Sequence, residues 1–235
     1  MRFRTSVLFF IFCLLFCPFV HAEDGPRVEV FSPQGVVKGV RQVRVQFSEA
    51  MVPFGDPMGS IEPFEIDCSE KGAFRWADQR NWALDFDNDL PAGIRCEFRL
   101  KPGLKSLSGR EIVGKKVFSF STGGPAIKSS TPYEGDDGID EEQIFILTLD
   151  AEPSEESVLQ HATFSVEGIQ NQIGIRIVKG KEREGIFKSR FRYRKPPFPP
   201  MVFIQSKQRF PADTKISLIW GKGVMSKTGV ANETD

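Results

Sequence analysis

Few side chains in this sequence are of the types that make or break bonds, and their spacing narrows the chemistry further. Cysteine stands at 13, 17, 68 and 96, and histidine at 21 and 161. Hydrolysis by a Ser-His-Asp or Cys-His arrangement needs an imidazole as base, and beyond residue 22 only His161 can supply one, in the polar lead-in to Thr163–Val166. A lone histidine does not make a zinc site with thiolates that are bonded to each other. Asp85-Phe86-Asp87-Asn88-Asp89 opens like a calcium loop, but Leu90 fills the sixth place, where glycine turns the chain, and Cys96 the twelfth, where glutamate closes on the ion. Glu134, Asp136, Asp137, Asp140, Glu141 and Glu142 form a denser acidic run, read as a solvated loop. Phe187-Lys188-Ser189-Arg190-Phe191-Arg192-Tyr193-Arg194-Lys195 alternates aromatic and basic residues, a pattern that could face a polyanion. In an exported chain it reads better as an amphipathic edge strand with its basic face in water, part of a basic hairpin over Lys179–Lys195. The chemistry that remains is binding and covalent stapling: no catalytic residue, no metal and no cofactor is expected.

Export is read from the first residues. Arg2 and Arg4 precede an apolar run from Val7 to Val20, and Val20-His21-Ala22 offers a small-residue cleavage site, so residues 1–22 read as a signal peptide cut after Ala22. A membrane anchor would need roughly 20 apolar residues, and Glu23-Asp24 follow at once; lipid attachment at Cys17 would want a small residue where Phe16 stands. The location expected is the periplasm or the exterior, with no membrane span in the mature chain. Basic and acidic residues number 31 and 31; without Arg2 and Arg4 they number 29 and 31, a net charge of −2. Such a balance gives no general attraction to nucleic acid or anionic membrane.

The elements that must position these residues are strands. Period-2 runs at Arg27–Phe31, Gln42–Ser48, Phe64–Cys68, Gly72–Trp76, Asn81–Phe86, Ile94–Leu100 and Lys116–Thr122 are separated by turns bearing Pro, Gly or Asp. Val43, Val45 and Phe47 share one face and Arg44, Gln46 and Ser48 the other, as in an antiparallel sheet wet on one side. Trp76 and Trp82 fall in phase with the apolar face and read as core.

The pattern then occurs again. Leu90-Pro91-Ala92-Gly93, Leu100, Gly103 and Gly109 are answered by Phe210-Pro211-Ala212-Asp213, Trp220, Gly223 and Gly229 at a constant offset of 120. Phe64-Glu65-Ile66 is echoed by Phe164-Ser165-Val166 at an offset of 100, so residues are inserted between Glu167 and Pro200. This period exceeds solenoid and propeller repeats, so each copy is a whole domain. The fold expected is all-β, two tandem β-sandwich domains over 23–124 and 125–235, joined at Thr122-Gly123-Gly124-Pro125. Adding the offset to Lys116–Thr122 puts the partner strand at 236–242, past Asp235. The second domain is therefore expected to lack its last strand and to show an uncovered edge.

Cys68 and Cys96 both fall on the apolar phase of their strands, so both sulfurs point to the buried face. Their counterparts, Gly168 and Ile216, are both non-cysteine, and this paired absence favours a disulfide; two buried free thiols are the alternative. Ile144 and Ile146 lie on the face opposite Phe145, Leu147 and Leu149 and are candidate contacts to a neighbouring domain.

Val43–Phe47, Ser48-Glu49-Ala50-Met51, Leu90-Pro91-Ala92-Gly93 and Phe118-Ser119-Phe120-Ser121-Thr122 together resemble the Ig-like domain of bacterial surface and envelope proteins. More narrowly, Cys68…Gly72-Ala73-Phe74-Arg75-Trp76…Trp82-Ala83-Leu84-Asp85-Phe86…Leu90-Pro91-Ala92-Gly93-Ile94-Arg95-Cys96, with Arg209-Phe210-Pro211-Ala212-Asp213 and Trp220-Gly221-Lys222-Gly223, is similar to the N-terminal region of large bacterial alpha-2-macroglobulin-like proteins. That resemblance implies a periplasmic or envelope-anchored endopeptidase trap, with a bait segment and in many members a Cys-x-Glu-Gln thioester. No such run exists here: Cys68 precedes Ser-Glu-Lys and Cys96 precedes Glu-Phe-Arg. The role implied is a non-catalytic, N-terminal Ig-like segment whose partners are downstream macroglobulin domains or another protein chain. A stand-alone secreted module that binds a glycan or a protein is the alternative.

Overall fold

A computed structural model of the protein describes residues 25–55 and 61–234. The signal segment read over 1–22, with Cys13 and Cys17, lies outside the described residues. The described chain is mostly β-strand. Its N-terminal half carries β1 (Val28–Ser32), β2 (Gly35–Val36), β3 (Gln42–Phe47), β4 (Phe64–Asp67), β5 (Gly72–Trp76), β6 (Asn81–Phe86), β7 (Arg95–Leu100) and β8 (Val117–Ser121). They form two four-stranded sheets, ordered β1-β3-β6-β5 and β2-β8-β7-β4. The alternation that marks each strand also fixes its inner face. On β3, Val43, Val45 and Phe47 are 0%, 1% and 0% exposed, while Arg44 and Gln46 point outward. Phe64 meets Phe98 of the neighbouring strand edge-on at 6.0 Å and, across to the other sheet, Trp82 at 5.2 Å. Trp76 and Trp82 complete this core, and burial of aromatics of this size contributes about 1.5–3 kcal/mol each. Only β2, two residues long and paired parallel to β8, lay below the reach of pattern reading.

Cys68 and Cys96 are bonded, with Cα atoms 4.4 Å apart. Asp67 pairs with Glu97 at the end of the β4–β7 ladder, so the cysteines are the next cross-strand pair, in one sheet rather than between sheets. The separation suits a non-hydrogen-bonded antiparallel pair.

The C-terminal half carries β9 (Ile127–Thr131), β10 (Ile144–Leu149), α1 (Glu155–His161), β11 (Ala162–Val166), β12 (Ile173–Ile177), α2 (Gly180–Arg190), β13 (Met201–Ser206) and β14 (Ile216–Trp220). Its six strands form one sheet, ordered β14-β11-β12-β13-β10-β9. The start of β12 pairs with β11 and its end with β13, so the sheet folds over at β12 around Leu147, Leu149, Val158, Phe164, Ile175 and Ile204.

The halves repeat one another down to single hydrogen bonds. Leu107 N donates to Ala50 O at 2.8 Å and Lys227 N to Glu152 O at 2.9 Å; Ile112 N donates to Leu104 O and Asn232 N to Val224 O, both at 3.0 Å. Gly93 has φ +83° and its counterpart Asp213 φ +54°, the same left-handed turn kept by a residue type that tolerates it. Two departures stand out. Between β5 and β6 lie four residues (77–80) but between β12 and β13 there are 23 (178–200), a difference of 19. And β14, unlike β7, is paired on one side: among the described residues it meets β11 alone.

The inserted segment is a helix and not the basic hairpin or edge strand that its alternation suggests. Lys181-Glu182-Arg183-Glu184 is a run of strong helix formers, with Glu182 in the first turn and Lys188 and Arg190 in the last, where the helix dipole favours them. Phe187 and Phe191, which satisfy a period of 2, are also four apart and meet on one helical face at 4.9 Å. Helix α1 was likewise not legible as a period, having seven residues and burying only Ser157 and Val158.

Closing a loop between residues 28 apart stabilises the N-terminal half by about 3–4 kcal/mol on the chain-entropy estimate. The paired substitution Cys68→Ala with Cys96→Ala is expected to remove roughly that amount in urea denaturation followed by Trp76 and Trp82 fluorescence. An unchanged midpoint would contradict the stapling role.

Candidate functional site

The residues singled out for chemistry are dispersed. Among the described residues no three His, Cys, Asp or Glu side chains are grouped so as to hold a metal ion. His161 ends α1 with its ring packed on Gly223, where a Cβ would stand 2.7 Å from His161 Cε1. Asp85 lies on the outward face of β6, where it accepts hydrogen bonds from Gln42 and from Arg75, the latter at 2.9 Å. The bond from Gln42, then that from Arg75, holds its carboxyl below the usual carboxylate range against a partial desolvation penalty. It is a member of a cross-strand polar ladder, not the start of an ion loop.

Ile144 and Ile146 are brought together, and the chain itself supplies their neighbour. Ile146 is 5% exposed, in a small cluster with Val178 and Phe203. Half-buried Ile144, Ile186, Phe187, Phe191 and Met201 pack on it. Helix α2 roofs this face and is held by Arg176 of β12, whose guanidinium donates to both oxygens of Glu182 at 3.0 and 2.8 Å. That bond keeps Glu182 below the usual carboxylate range. Within the chain itself, the 19-residue insertion packs on these isoleucines, burying Ile146 and leaving Ile144 half-buried. The aromatic residues of the basic stretch are spent in the same way. Phe187 and Phe198 rings meet at 4.9 Å, and Arg183 and Arg194 lie over Phe203 and Phe191 at 5.0 and 5.5 Å. Tyr193 alone of these rings stays out, 89% exposed.

What remains open lies where the halves meet, beside β14. Trp220, the last residue of β14, donates from Nε1 to Pro125 O at 2.7 Å, and Asn232 donates from Nδ2 to the same oxygen at 3.0 Å. Lys38 of the N-terminal half donates to Gly124 O at 3.3 Å and pairs with Asp150 of the C-terminal half at 2.5 Å. Asp150 also accepts from Ala126 N at 2.7 Å. On the other side of the joint, Thr228 Oγ1 donates to Gly93 O. Two glycines let the chains approach so closely: a Cβ on Gly93 would stand 2.9 Å from Ser226 Cβ, and one on Gly124 would stand 2.6 Å from Asn232 N. Between these contacts a groove of about 420 Å³ opens, lined by Val36, Lys38, Ile127, Trp220 and Asn232. Such a wall, apolar with a few backbone and side-chain polar groups, offers a surface on which a partner can bind. Of the residues at this joint, Gly93, Gly123, Gly124, Pro125 and Trp220 belong to patterns visible in the sequence; Lys38 and Asn232 have no local signal, since their partners lie 112 and 107 residues away.

No protein-family profile matches the chain. The chain is similar to an alpha-2-macroglobulin homolog from a Nostoc strain, with 24% identity across 68% of this chain. The match spans 9% of that relative's length. Among solved structures it overlaps an L,D-transpeptidase 3 from Mycobacterium tuberculosis, with TM-score 0.30 and 18% identity over 66% of this chain and 59% of that one. A second L,D-transpeptidase, solved with imipenem, gives TM-score 0.29 and 12% identity over 88% and 79%. Overlaps at that score carry no argument about activity. Among the described residues no helix is long and apolar enough to cross a membrane.

The joint predicts a contrast between two glycines of the same conformation. Gly103, at φ +71° with no atom within 4 Å of where a Cβ would stand, should lose about 1 kcal/mol as Gly103→Ala, the ordinary left-handed penalty. Gly93→Ala adds the collision with Ser226 and should lose about 2–3 kcal/mol in the same denaturation assay. Equal losses would mean that the halves do not bear on each other at this point.

Proposed function

We propose that the chain is the non-catalytic, amino-terminal segment of an exported alpha-2-macroglobulin-type endopeptidase inhibitor, built from two Ig-like sandwich domains over 23–124 and 125–235. The observation that carries this reading is the similarity to a macroglobulin homolog that engages most of this chain and 9% of the relative. The duplicated strand order and the Cys68–Cys96 bond, at home in an oxidising compartment, support it. The chain contributes no thioester and no bait; its work is to carry and orient downstream macroglobulin domains or another protein chain. Lys38 with Asp150, and Gly93 with Ser226 and Thr228, serve that work by fixing one half against the other, since a carrier transmits position only through a stiff joint.

Two measurements test the reading together. The purified mature chain is expected to leave the activity of trypsin and of elastase undiminished at equimolar and tenfold excess. In the cell that makes it, an antibody raised against the chain is expected to find it outside the cytoplasm, beginning at Glu23, in a species with a macroglobulin-type polypeptide. Inhibition by the isolated chain, or a free species of monomer mass only, would contradict the carrier role.

A further inference from the structure

The two halves supply an internal experiment in what a strand looks like with and without its outer neighbour. On β7, Cys96, Phe98 and Leu100 point inward and are 0%, 0% and 7% exposed. Their partner strand β8 lies antiparallel with Phe120 opposite Cys96 and Phe118 opposite Phe98. Both rings enter the core: Phe118 stacks on Phe31 at 4.8 Å and Phe120 on Phe98 at 6.2 Å. On β14 the corresponding residues Ile216, Leu218 and Trp220 are only half-buried, although they pack on the same kind of core.

Backbone polarity agrees with the side chains. Lys215 O accepts from Glu167 N and Gly221 N donates to His161 O, each at 2.9 Å, so the odd-numbered residues of β14 turn their backbone groups to β11. The even-numbered ones, Ile216, Leu218 and Trp220, then turn theirs the other way, because antiparallel strands alternate the direction of their hydrogen bonds. On β7 the even-numbered residues do the same, and there β8 receives them: Leu100 N donates to Lys116 O and Thr122 N to Ile94 O, both at 2.8 Å. One row of backbone donors and acceptors, over an apolar strip, lies beside the groove that ends at Trp220.

We infer that the outer edge of β14 is an acceptor for an extended polypeptide strand, which adds antiparallel in the β7–β8 register and inserts two large apolar side chains, at alternate positions, opposite Ile216 and Leu218. Main-chain bonding to Ile216, Leu218 and Trp220 supplies affinity, and the two inserted side chains supply selectivity. The positions between them face water and take small polar residues, as Ser119 and Ser121 do on β8. The inference stands on the internal duplication and not on the macroglobulin reading, so either can fail alone.

The probe is the chain's own complementing strand, a labelled synthetic peptide of sequence Lys-Lys-Val-Phe-Ser-Phe-Ser-Thr, matching residues 115–122, titrated with the intact mature protein and followed by fluorescence anisotropy. Saturable binding is expected, weakened at least about tenfold when both phenylalanines of the peptide are serine, since two aromatic burials are lost. Leu218→Pro should abolish binding, because it removes an outward N–H while leaving the β11 ladder intact, as edge strands allow; a melting curve and circular dichroism establish that the variant is folded. The peptide comparison on the unaltered protein decides the matter even if that variant does not fold. No saturable binding, equal binding by the serine peptide, or undiminished binding by folded Leu218→Pro would each overturn the proposal. So would sedimentation of the protein as a dimer that Leu218→Pro dissolves, because the edge would then belong to a second copy.

Discussion

A strand unpaired on one edge leaves a row of backbone groups to water there, and its apolar side chains stay dry only where something else covers them, as the facing sheet covers Phe64 of edge strand β4 and Trp76 of edge strand β5. This lateral constraint organises the molecule. In the N-terminal half β7 is hydrogen-bonded by β4 on one side and β8 on the other, and Phe98 is fully buried. In the C-terminal half β14 has β11 on one side, and the corresponding Leu218 stays half-exposed. The C-terminal half differs from the N-terminal half in further respects. Its sheet is continuous through β12 instead of being split in two, α1 drives Val158 under the fold, and α2 covers the far face.

Register follows the same logic. Phe64 pairs with Leu100 in the N-terminal half, whereas Phe164 pairs with Leu218, two residues short of the position that the offset of 120 predicts. A slip of two preserves which side chains face the core, and is the slip a sheet tolerates most readily. Cys68 and Cys96 forbid it in the first half by fixing one cross-strand pair; with Gly168 and Ile216 in their places, nothing forbids it in the second. The disulfide therefore specifies alignment as well as adding stability.

Much of this was legible in the sequence because the carriers are local. Val43, Val45 and Phe47 announce their strand and its inner face, and the phase of Cys68 and Cys96 announces where their sulfurs point. The constant spacing from Pro91 to Pro211 announces duplication. What escaped was non-local or ambiguous. Phe187 and Phe191 fit a strand period and a helical one equally, and the second is realised, so Ile144 and Ile146 lie beneath a roof that no periodicity revealed. Helix α1 is too short to show a period. The joint rests on Lys38 with Asp150 and on Trp220 with Pro125, pairs that only the folded arrangement brings within reach.

The claim on which the account turns is that β7 is sealed and that, among the described residues, β14 is open on one edge; amide hydrogen exchange of residues 23–235 tests it most directly. The amides of Cys96, Phe98 and Leu100 should exchange slowly, with the core, while those of Ile216, Leu218 and Trp220 should exchange about a hundredfold faster or more, as amides bonded to water do. Matching protection on the two strands would mean that β14 already has an outer neighbour, and would contradict the account.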